Sequence, residues 1–245
     1  MSESVRLNKF ISEAGVASRR AADRMVDEGR ITINGKVAVL GDKVCDGDVV
    51  CVDGKPVTKV QEDIILVFHK PRGITCTSNP DDKDNVIDFI GYPKRIYSVG
   101  RLDKDSEGML VFTNDGEFAN KVMHPRNSVY KFYRVTVRPG ITEEQLVKLE
   151  TGVEIDGKKT APAIVHVLVQ DKEANRVVLE MILHEGKNRE IRKMCAAVGL
   201  EVARLRRTQI GGVKMGMLKQ GDWRDLTEKE VKNLLANPIV NGRVI

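Results

Sequence analysis

The 245-residue sequence lacks the long apolar stretches and the paired cysteines that mark membrane-spanning and disulfide-stapled proteins. No apolar run approaches the ~18 residues of a membrane helix, and no apolar segment follows a basic start at the N-terminus. We therefore expect a cytoplasmic protein with no signal peptide and no membrane partner. The four cysteines include no C-x-x-C pair, which argues against a zinc site. Internal repeats and low-complexity tracts are also absent.

What the chain does contain is typical of a folded protein with a well-solvated surface. Hydrophobic residues make up 41% and charged residues 31%, which excludes collagen-like and wholly disordered chains. The length suits one large domain, or a small module beside a medium one. The net charge of +5 is compatible with a nucleic-acid partner, although the placement of the basic residues carries more information than their total.

The first sixty residues are predicted to form a small module of two helices followed by short strands. An apolar stripe with helical spacing runs from Leu7 to Ala14, and Ser18 is a suitable cap for a second helix. Asn34 and Gly35 separate two β-rich runs, which indicates a tight hairpin. Ten basic and nine acidic residues nearly balance in this segment, so charge alone does not distinguish it from an ordinary solvated surface.

A polar stretch at residues 58–63 is predicted to be a linker, which divides the chain into a module of residues 1–60 and a larger domain of residues 61–245. Helices are predicted to begin at Thr142 and to cover residues 190–198, and the clearest strands are predicted at residues 64–68, 109–112, 131–137, 164–169 and 177–183. Strands and helices do not alternate strictly. We therefore predict an α+β fold in which helices flank a mixed, mostly antiparallel sheet.

An acidic loop at residues 100–108 contains Asp103, Asp105 and Glu107. This spacing resembles the start of a calcium loop, but the twelfth position is Asn114 rather than glutamate and the flanks are strand-like, so calcium is disfavoured. A glycoside-cleaving carboxylate pair is a second alternative, because a loop leaves the carboxylate separation open. A capped turn with solvated acids is the third.

A basic cluster follows at residues 187–207, where seven basic residues stand against two acidic ones. In a helix over residues 190–198, Arg192 would lie beside the inward-facing Ile191 and Met194. A guanidinium at such a position needs a carboxylate partner, because an unpaired buried charge costs several kcal/mol. The acids of the 100–108 loop are the candidate partners.

The strings RLNKFI (residues 6–11), GVASRRAA (residues 15–22) and INGK (residues 33–36) resemble the alpha-L RNA-binding module. The larger domain carries the strings KPRG (residues 70–73), GRLDKDSEG (residues 100–108), KFYRV (residues 131–135) and EGKNREIRKM (residues 185–194). In their order and spacing, these motifs resemble the RsuA-type pseudouridine synthases, in particular the branch containing RluB and RluF. Glu190 departs from the pattern, because the family usually has glutamine there.

The resemblance implies isomerisation of a uridine to pseudouridine in structured RNA, with large-subunit ribosomal RNA as the first choice. It implies no metal and no other cofactor, and we expect a monomer. Asp103 would be the nucleophile or base, Tyr133 would stack on the uracil, and Arg192 would be the cation beside Asp103. The implied substrate-binding residues are Lys70, Arg101, Leu102, Asn188, Arg189, Lys193, Arg6, Lys9, Arg19, Arg20 and Lys36. For Lys70, ordering the wall of the site is the alternative to contact with phosphate.

Other functions are left open by the sequence. One alternative is a non-enzymatic RNA-binding factor in ribosome assembly, although such a factor would not need Asp103, Tyr133 and Arg192 together. Another is the same isomerisation on small-subunit ribosomal RNA or on transfer RNA. Release of free uracil would instead identify a base-excising enzyme.

Overall fold

The computed structural model forms two compact units, each with its own core. It describes residues 4–58, 62–236, 238–240 and 243–244. Within those ranges, no helix has the length and apolar character needed to cross a bilayer.

The smaller unit contains the described residues up to Ile64, together with Tyr92–Ile96 and Asn114–Gly116. The larger unit contains the remaining described residues. The domain boundary predicted between residues 60 and 61 lies outside the described residues, so it stays a prediction.

The described part of the smaller unit has two helices and six short strands. In chain order they are β1 (Val5–Arg6), α1 (Leu7–Glu13), α2 (Arg19–Asp27), β2 (Ile31–Ile33), β3 (Lys36–Val37), β4 (Lys43–Val44), β5 (Val50–Val52) and β6 (Lys55–Pro56). A four-stranded antiparallel sheet has the order β3-β2-β5-β6, and β1 pairs with β4. The predicted pattern of two helices followed by short strands is confirmed.

Local sequence signals explain how these elements begin and end. The Ser18 side chain accepts a hydrogen bond from the Ala21 amide at 3.2 Å and caps α2. Asn34 and Gly35 both have left-handed backbones, with φ of 52° and 79°, as a tight two-residue hairpin requires. The buried side chains of the unit are Leu7, Ile11, Ala22, Val26, Ile31, Ala38, Val44, Val50 and Val52.

The larger unit combines a long sheet with helices. Its first elements are β7 (Ile65–Lys70), α3 (Val86–Ile90), β8 (Tyr97–Val99), β9 (Glu107–Thr113), α4 (Gly116–Met123), β10 (Lys131–Arg138) and α5 (Glu143–Thr151). The next are β11 (Glu154–Ile155), β12 (Lys158–Lys159), β13 (Ile164–Asp171), β14 (Arg176–Leu183), α6 (Glu190–Ala197) and β15 (Glu201–Ile210). The last are β16 (Val213–Lys214), β17 (Trp223–Asp225), α7 (Glu228–Leu234), β18 (Ile239–Val240) and β19 (Arg243–Val244).

Nine of these strands form one sheet, with the order β13-β14-β10-β15-β9-β7-β17 and with β16 and β8 attached to β15 and β9. The neighbouring strands pair antiparallel, except that β15 and β9 are parallel. The predicted α+β class and the mixed, mostly antiparallel sheet are therefore confirmed.

The sequence pattern does not predict β15, which lies at the centre of this sheet. The strand carries several arginines, whereas central strands usually carry apolar side chains. Two of these arginines have partners on β9. Arg204 binds the buried Glu107 carboxylate at 2.6 Å, and Arg207 donates from Nε to the Met109 carbonyl oxygen at 2.8 Å.

Gly108 allows the parallel pair β15 and β9 to form. Its φ is 113°, and a Cβ at this position would come within 2.2 Å of the Arg207 carbonyl oxygen. Any larger residue would force the two backbones apart. The glycine therefore brings the end of the acidic loop next to the central strand.

Two sets of helices cover the sheet of the larger unit. Helix α5 begins with the predicted capping box of Thr142 and Gln145. Helices α5 and α6 contribute to one hydrophobic cluster, which includes Leu149, Ile191, Met194 and Cys195 as well as side chains of β10, β13, β14 and β15. Helices α4 and α7 contribute to a second cluster, which includes Phe118, Val122 and Leu234. The predicted inward orientation of Ile191 and Met194 is confirmed.

Candidate active site

The loop between β8 and β9 carries the acidic residues of the predicted site. Its backbone is held by the ammonium group of Lys70, the last residue of β7. Lys70 Nζ donates to the carbonyl oxygens of Pro71, Asp103 and Ser106, at 3.0, 3.1 and 2.8 Å respectively. A lysine has three donors, and all three are therefore used. Two of them hold this loop, and the third binds the carbonyl oxygen of the residue that follows Lys70.

Lys70 is fully buried, which corrects one of its two predicted roles. Burial lowers the pKa of the ammonium group, and the surrounding acidic groups offset only part of that effect. With its donors satisfied and no exposed surface, Lys70 does not reach an RNA phosphate. The structure contradicts the predicted substrate contact and supports the alternative, in which Lys70 orders the wall of the site.

Backbone contacts fix the same loop at other points. The Gly73 amide donates to the Lys104 carbonyl oxygen at 2.8 Å, and the Leu102 amide donates to Cys76 Sγ at 3.3 Å. The Leu102 residue is only 8% exposed, which leaves little of its side chain for the predicted substrate contact. The loop is thus a rigid part of the domain.

Arg189 approaches the loop from the residue before α6. Its guanidinium binds both carboxylate oxygens of Asp105, at 3.2 and 3.3 Å, and Nη1 lies 3.7 Å from Asp103 Oδ2. The Arg189 backbone is left-handed, with φ of 51° and ψ of 33°. For a non-glycine residue this conformation costs of order 1–3 kcal/mol, and it persists only where surrounding contacts hold it.

Arg192 reaches the loop from the first turn of α6, and its side chain is only 14% exposed. Nη2 donates to the Asp105 carbonyl oxygen at 3.2 Å and to Ser106 Oγ at 3.3 Å, and it lies 3.3 Å from Asp105 Oδ2. Nη1 donates to the Val202 carbonyl oxygen at 3.3 Å. Arg192 therefore pairs with an acid of the 100–108 loop, as predicted, and this acid is Asp105.

The expectation that Arg192 is the cation beside Asp103 is corrected by this geometry. Arg192 is occupied by Asp105 and Ser106, and the guanidinium that pairs with Asp103 belongs to Arg189. Burial raises the pKa of Asp105, but the hydrogen bond from Arg189 and the charge of Arg192 outweigh this effect and lower it below its usual value. Asp105 is thus the ionised anchor for both arginines.

Tyr133 is related to the acidic loop by the register of the sheet. Tyr133 on β10 lies opposite Arg207 on β15, which lies opposite Gly108 on β9. Adjacent strands are about 4.8 Å apart, so two steps separate Tyr133 from the start of β9 by about 10 Å. Tyr133 is half-buried and packs against the cluster that includes the apolar side of α6. The fold therefore brings it to the same level of the sheet as the loop.

The other predicted substrate-binding residues of the larger unit differ in their surroundings. Arg101 and Asn188 are exposed. Lys193 is bound to Asp156 in the turn between β11 and β12, with 2.5 Å between Nζ and Oδ2. In the basic cluster, Arg207 is 5% exposed and serves the sheet rather than the surface.

The smaller unit presents its predicted basic residues to solvent, with the exception of Lys9. Lys9 is half-buried and pairs with Glu13 at 3.5 Å. The exposed residues are Arg6, Arg19, Arg20 and Lys36. Arg19 and Arg20 begin α2, where the helix dipole disfavours positive charge. Helix stability therefore does not account for them.

Sequence reasoning does not single out the basic residue Lys131. Burial and the charge of Arg207 lower the pKa of Lys131 to about 8. Its position two residues before Tyr133, on the same face of β10, is the signal that could have identified it. Glu185 and Glu190 also lie in contact near the start of α6.

The acids of the loop bind arginines rather than forming a calcium site. Asp105 binds Arg189 and Arg192, and Glu107 binds Arg204. Across the part of the chain that the structure describes, no group of three or more His, Cys, Asp or Glu side chains could hold a metal ion.

Comparisons with known proteins identify the family of the chain. The family model described as RNA pseudouridylate synthase matches residues 64–197, and the model of the S4 domain matches residues 5–50. The chain is 42% identical to the dual-specificity RNA pseudouridine synthase RluF of Escherichia coli (strain K12), over 94% of this chain and 78% of that protein. It is also 42% identical to ribosomal large subunit pseudouridine synthase B of Bacillus subtilis (strain 168), over 94% of this chain and 96% of that protein.

A solved structure with the same overall fold is described as the crystal structure of pseudouridylate synthase. It matches with a TM-score of 0.68 and 28% identity, over 94% of this chain and 100% of that one. The S4 match falls on the predicted alpha-L RNA-binding module. The chain therefore belongs to the RNA pseudouridylate synthase family, as an RsuA-type pseudouridine synthase of the RluB/RluF branch with an N-terminal S4 domain.

Proposed function

We propose that this protein isomerises a uridine of large-subunit ribosomal RNA to pseudouridine, with Asp103 as the nucleophile or base. The observation that carries this proposal is the Asp103 carboxylate, which is 28% exposed and lies 3.7 Å from Arg189 on a loop held by Lys70. The choice of RNA is supported by the relative named ribosomal large subunit pseudouridine synthase B. The proposed compartment is the cytoplasm, and the proposed form is a monomer.

The reaction breaks the bond between the sugar and nitrogen 1 of uracil, turns the base, and joins the sugar to carbon 5. Carbon 5 loses its hydrogen as a proton and nitrogen 1 gains a proton, so the product is an isomer of the substrate. An aspartate is suited to this chemistry because its carboxylate can attack a carbon or remove a proton. Arg189 supplies an opposite charge beside it. A carboxylate on a rigid loop is held ready for the reacting atoms, which lowers the entropic cost of reaching the transition state.

The two arginines have different roles in this proposal. Arg189 is the cation beside the reacting carboxylate. Arg192 is a positioning residue, because it contacts Asp105 and Ser106 and lies mostly buried. Tyr133 stacks on the uracil, a role supported by its half-buried ring at the level of the loop.

A uridine in a helix must leave the stack to reach Asp103, at a cost of a few kcal/mol. Contacts with the RNA backbone would offset that cost. On the larger unit these contacts are assigned to Arg101, Asn188 and Arg189. On the S4 domain they are assigned to Arg6, Lys9, Arg19, Arg20 and Lys36. Phosphate contacts of this kind fix the position of the RNA rather than its sequence.

The proposed contacts predict a strong dependence of RNA affinity on salt. Replacing Arg19 and Arg20 together by serine should weaken binding and reduce the slope of log affinity against log salt by about 1 to 2 units. Filter binding over a salt series measures this slope. The matched control replaces the exposed Arg176, which pairs with Asp171, by serine. This change should leave the slope unchanged. An unchanged slope in the double variant would remove these arginines from the interface.

The proposed target is tested by mapping pseudouridines in total RNA from cells with and without the protein. We expect one or a few large-subunit uridines to lose the modification when the protein is absent, and to regain it with the wild type but not with Asp103→Asn. Loss only in small-subunit or transfer RNA would contradict the proposed substrate. Free uracil and abasic sites in a reaction with purified protein would contradict the proposed chemistry.

A further inference from the structure

Glu190 and Glu185 form a carboxyl pair where α6 begins. Glu190 is the first residue of α6 and is 6% exposed. Its Oε2 accepts a hydrogen bond from the Lys187 amide at 2.9 Å, whereas its buried Oε1 has no hydrogen-bond partner among the described residues. Lys187 also binds the Glu185 carboxylate, with 3.1 Å between Nζ and Oε2, and the two carboxyl groups interact directly. Two carboxyl groups in contact at a buried site cannot both be ionised without strong repulsion, so one proton belongs between them.

The surroundings of the pair decide which residue carries the proton. Glu185 Oε1 accepts a hydrogen bond from the Ala161 amide at 2.8 Å, and Oε2 lies 3.1 Å from Lys187 Nζ. Burial raises the pKa of Glu185, but hydrogen bonds from Glu190, Ala161 and Lys187 lower it to about 2. Burial and the contact with Glu185 raise the pKa of Glu190 to about 7. The Glu185 carboxylate has donors at both oxygens, whereas the buried Oε1 of Glu190 has no partner among the described residues, so we assign the proton to Glu190.

Charged groups from three segments face Glu190. Glu185 follows β14, Lys187 belongs to the loop before α6, and Lys131 belongs to β10. Lys131 faces Arg207 of β15 in turn. Burial and Arg207 already lower the pKa of Lys131. Loss of the proton from Glu190 would therefore change the net charge of a buried cluster that includes this lysine.

We propose that Glu190 is a positioning residue that works in its protonated form. The proton it shares with Glu185 ties the segment after β14 to the first turn of α6. Arg189 and Arg192 lie at that turn and bind the acidic loop at residues 100–106. Loss of the proton would leave two carboxylates in contact and displace the turn. The expected effect on rate rests on the proposed role of Asp103, whereas the effect on stability does not.

The sign of the pH effect follows from the direction of the shift. The pKa of Glu190 is raised in the folded protein from 4.5 to about 7. The contribution of its proton to stability is therefore complete below pH 4.5 and is lost as the pH rises through about 7.

The test compares wild type with Glu190→Gln between about pH 6 and 8.5. The amide presents a hydrogen-bond donor to Glu185 at every pH, whereas wild type loses its donor with the proton. The ratio of single-turnover rates, variant over wild type, should rise at least about fivefold across this range. The melting temperature should shift in favour of the variant over the same range. Glu173→Gln, an exposed glutamate in the turn between β13 and β14, is the matched control and should show a constant ratio.

Parallel pH dependences of Glu190→Gln and wild type, in rate and in melting temperature, would overturn the proposal. Glu185→Gln provides a second variant if Glu190→Gln does not fold. With Glu185 neutral, Glu190 can ionise beside an amide, so the fall in melting temperature above neutral pH should again be reduced. A wild-type-like fall in Glu185→Gln would also overturn the proposal. If the protein showed no isomerase activity, the proposed function would fail, but the melting temperatures would still test the role of the Glu190 proton. The two failures are therefore distinguishable.

Discussion

Asp103→Asn is expected to lower the single-turnover rate of isomerisation by roughly 10⁴-fold or more, with little change in fold. Asparagine keeps the shape of the side chain but can neither attack a carbon nor remove a proton efficiently. Among the described residues, the ion pair that this substitution removes is the contact of Asp103 with Arg189 at 3.7 Å. A partly exposed pair of that length contributes about 1 kcal/mol or less.

The measurement is the rate of tritium release from carbon 5 of labelled uridine in ribosomal RNA, at saturating enzyme. Melting temperature and RNA affinity are measured alongside it, and both should stay near the wild-type values. Asp84→Asn is the matched control, because it removes an exposed carboxylate that pairs with Lys104 at 2.7 Å. Wild-type rates in Asp103→Asn would remove this residue from the chemistry.

Lys70→Met is expected to slow the reaction by about a hundredfold or more and to lower the free energy of unfolding by roughly 2–4 kcal/mol. Methionine fills much of the same space but donates no hydrogen bonds. The carbonyl oxygens of Pro71, Asp103 and Ser106 would then lose their shared donor. Loss of the cost of burying the ammonium charge offsets part of this penalty. The rate falls because the Asp103 backbone is no longer held in place.

Urea unfolding and single-turnover rates measure the two effects in the same variant. Lys148→Met is the control, because this exposed lysine of α5 pairs with Glu144 one turn away, and its loss should cost less than about 1 kcal/mol. A Lys70→Met protein with normal stability but impaired RNA binding would contradict the positioning role. It would restore Lys70 as a substrate contact.

The sequence predicted those parts of the protein whose signals are local. A helical stripe, the Ser18 cap and the Asn34-Gly35 turn each depend on residues close together in the chain, and the structure has them where they were predicted. The same reasoning failed for β15. Its arginines interrupt the apolar pattern, and their partner Glu107 is 97 residues away from Arg204 in the chain.

The sequence predicted that an acid of the 100–108 loop pairs with Arg192, but it did not give the pairing residue by residue. An acid of the 100–108 loop does meet Arg192, but spacing along the chain did not distinguish Asp103 from Asp105. For Lys70 the sequence left two roles open, ordering the wall of the site or contacting phosphate, because burial of a lysine is rare and cannot be read from spacing. Its burial depends on three carbonyl oxygens that converge only once the loop has folded against β7.

By itself, the amino-acid sequence determined the two-domain family and the α+β class, because these follow from short-range patterns and from motifs in a fixed order. The tertiary structure alone decided that Arg189 faces Asp103, that Lys70 supports the loop from inside, and that Glu190 meets Glu185. The physical reason is that charge pairing and burial depend on distances in space. Those distances arise only when separate segments of the chain pack together.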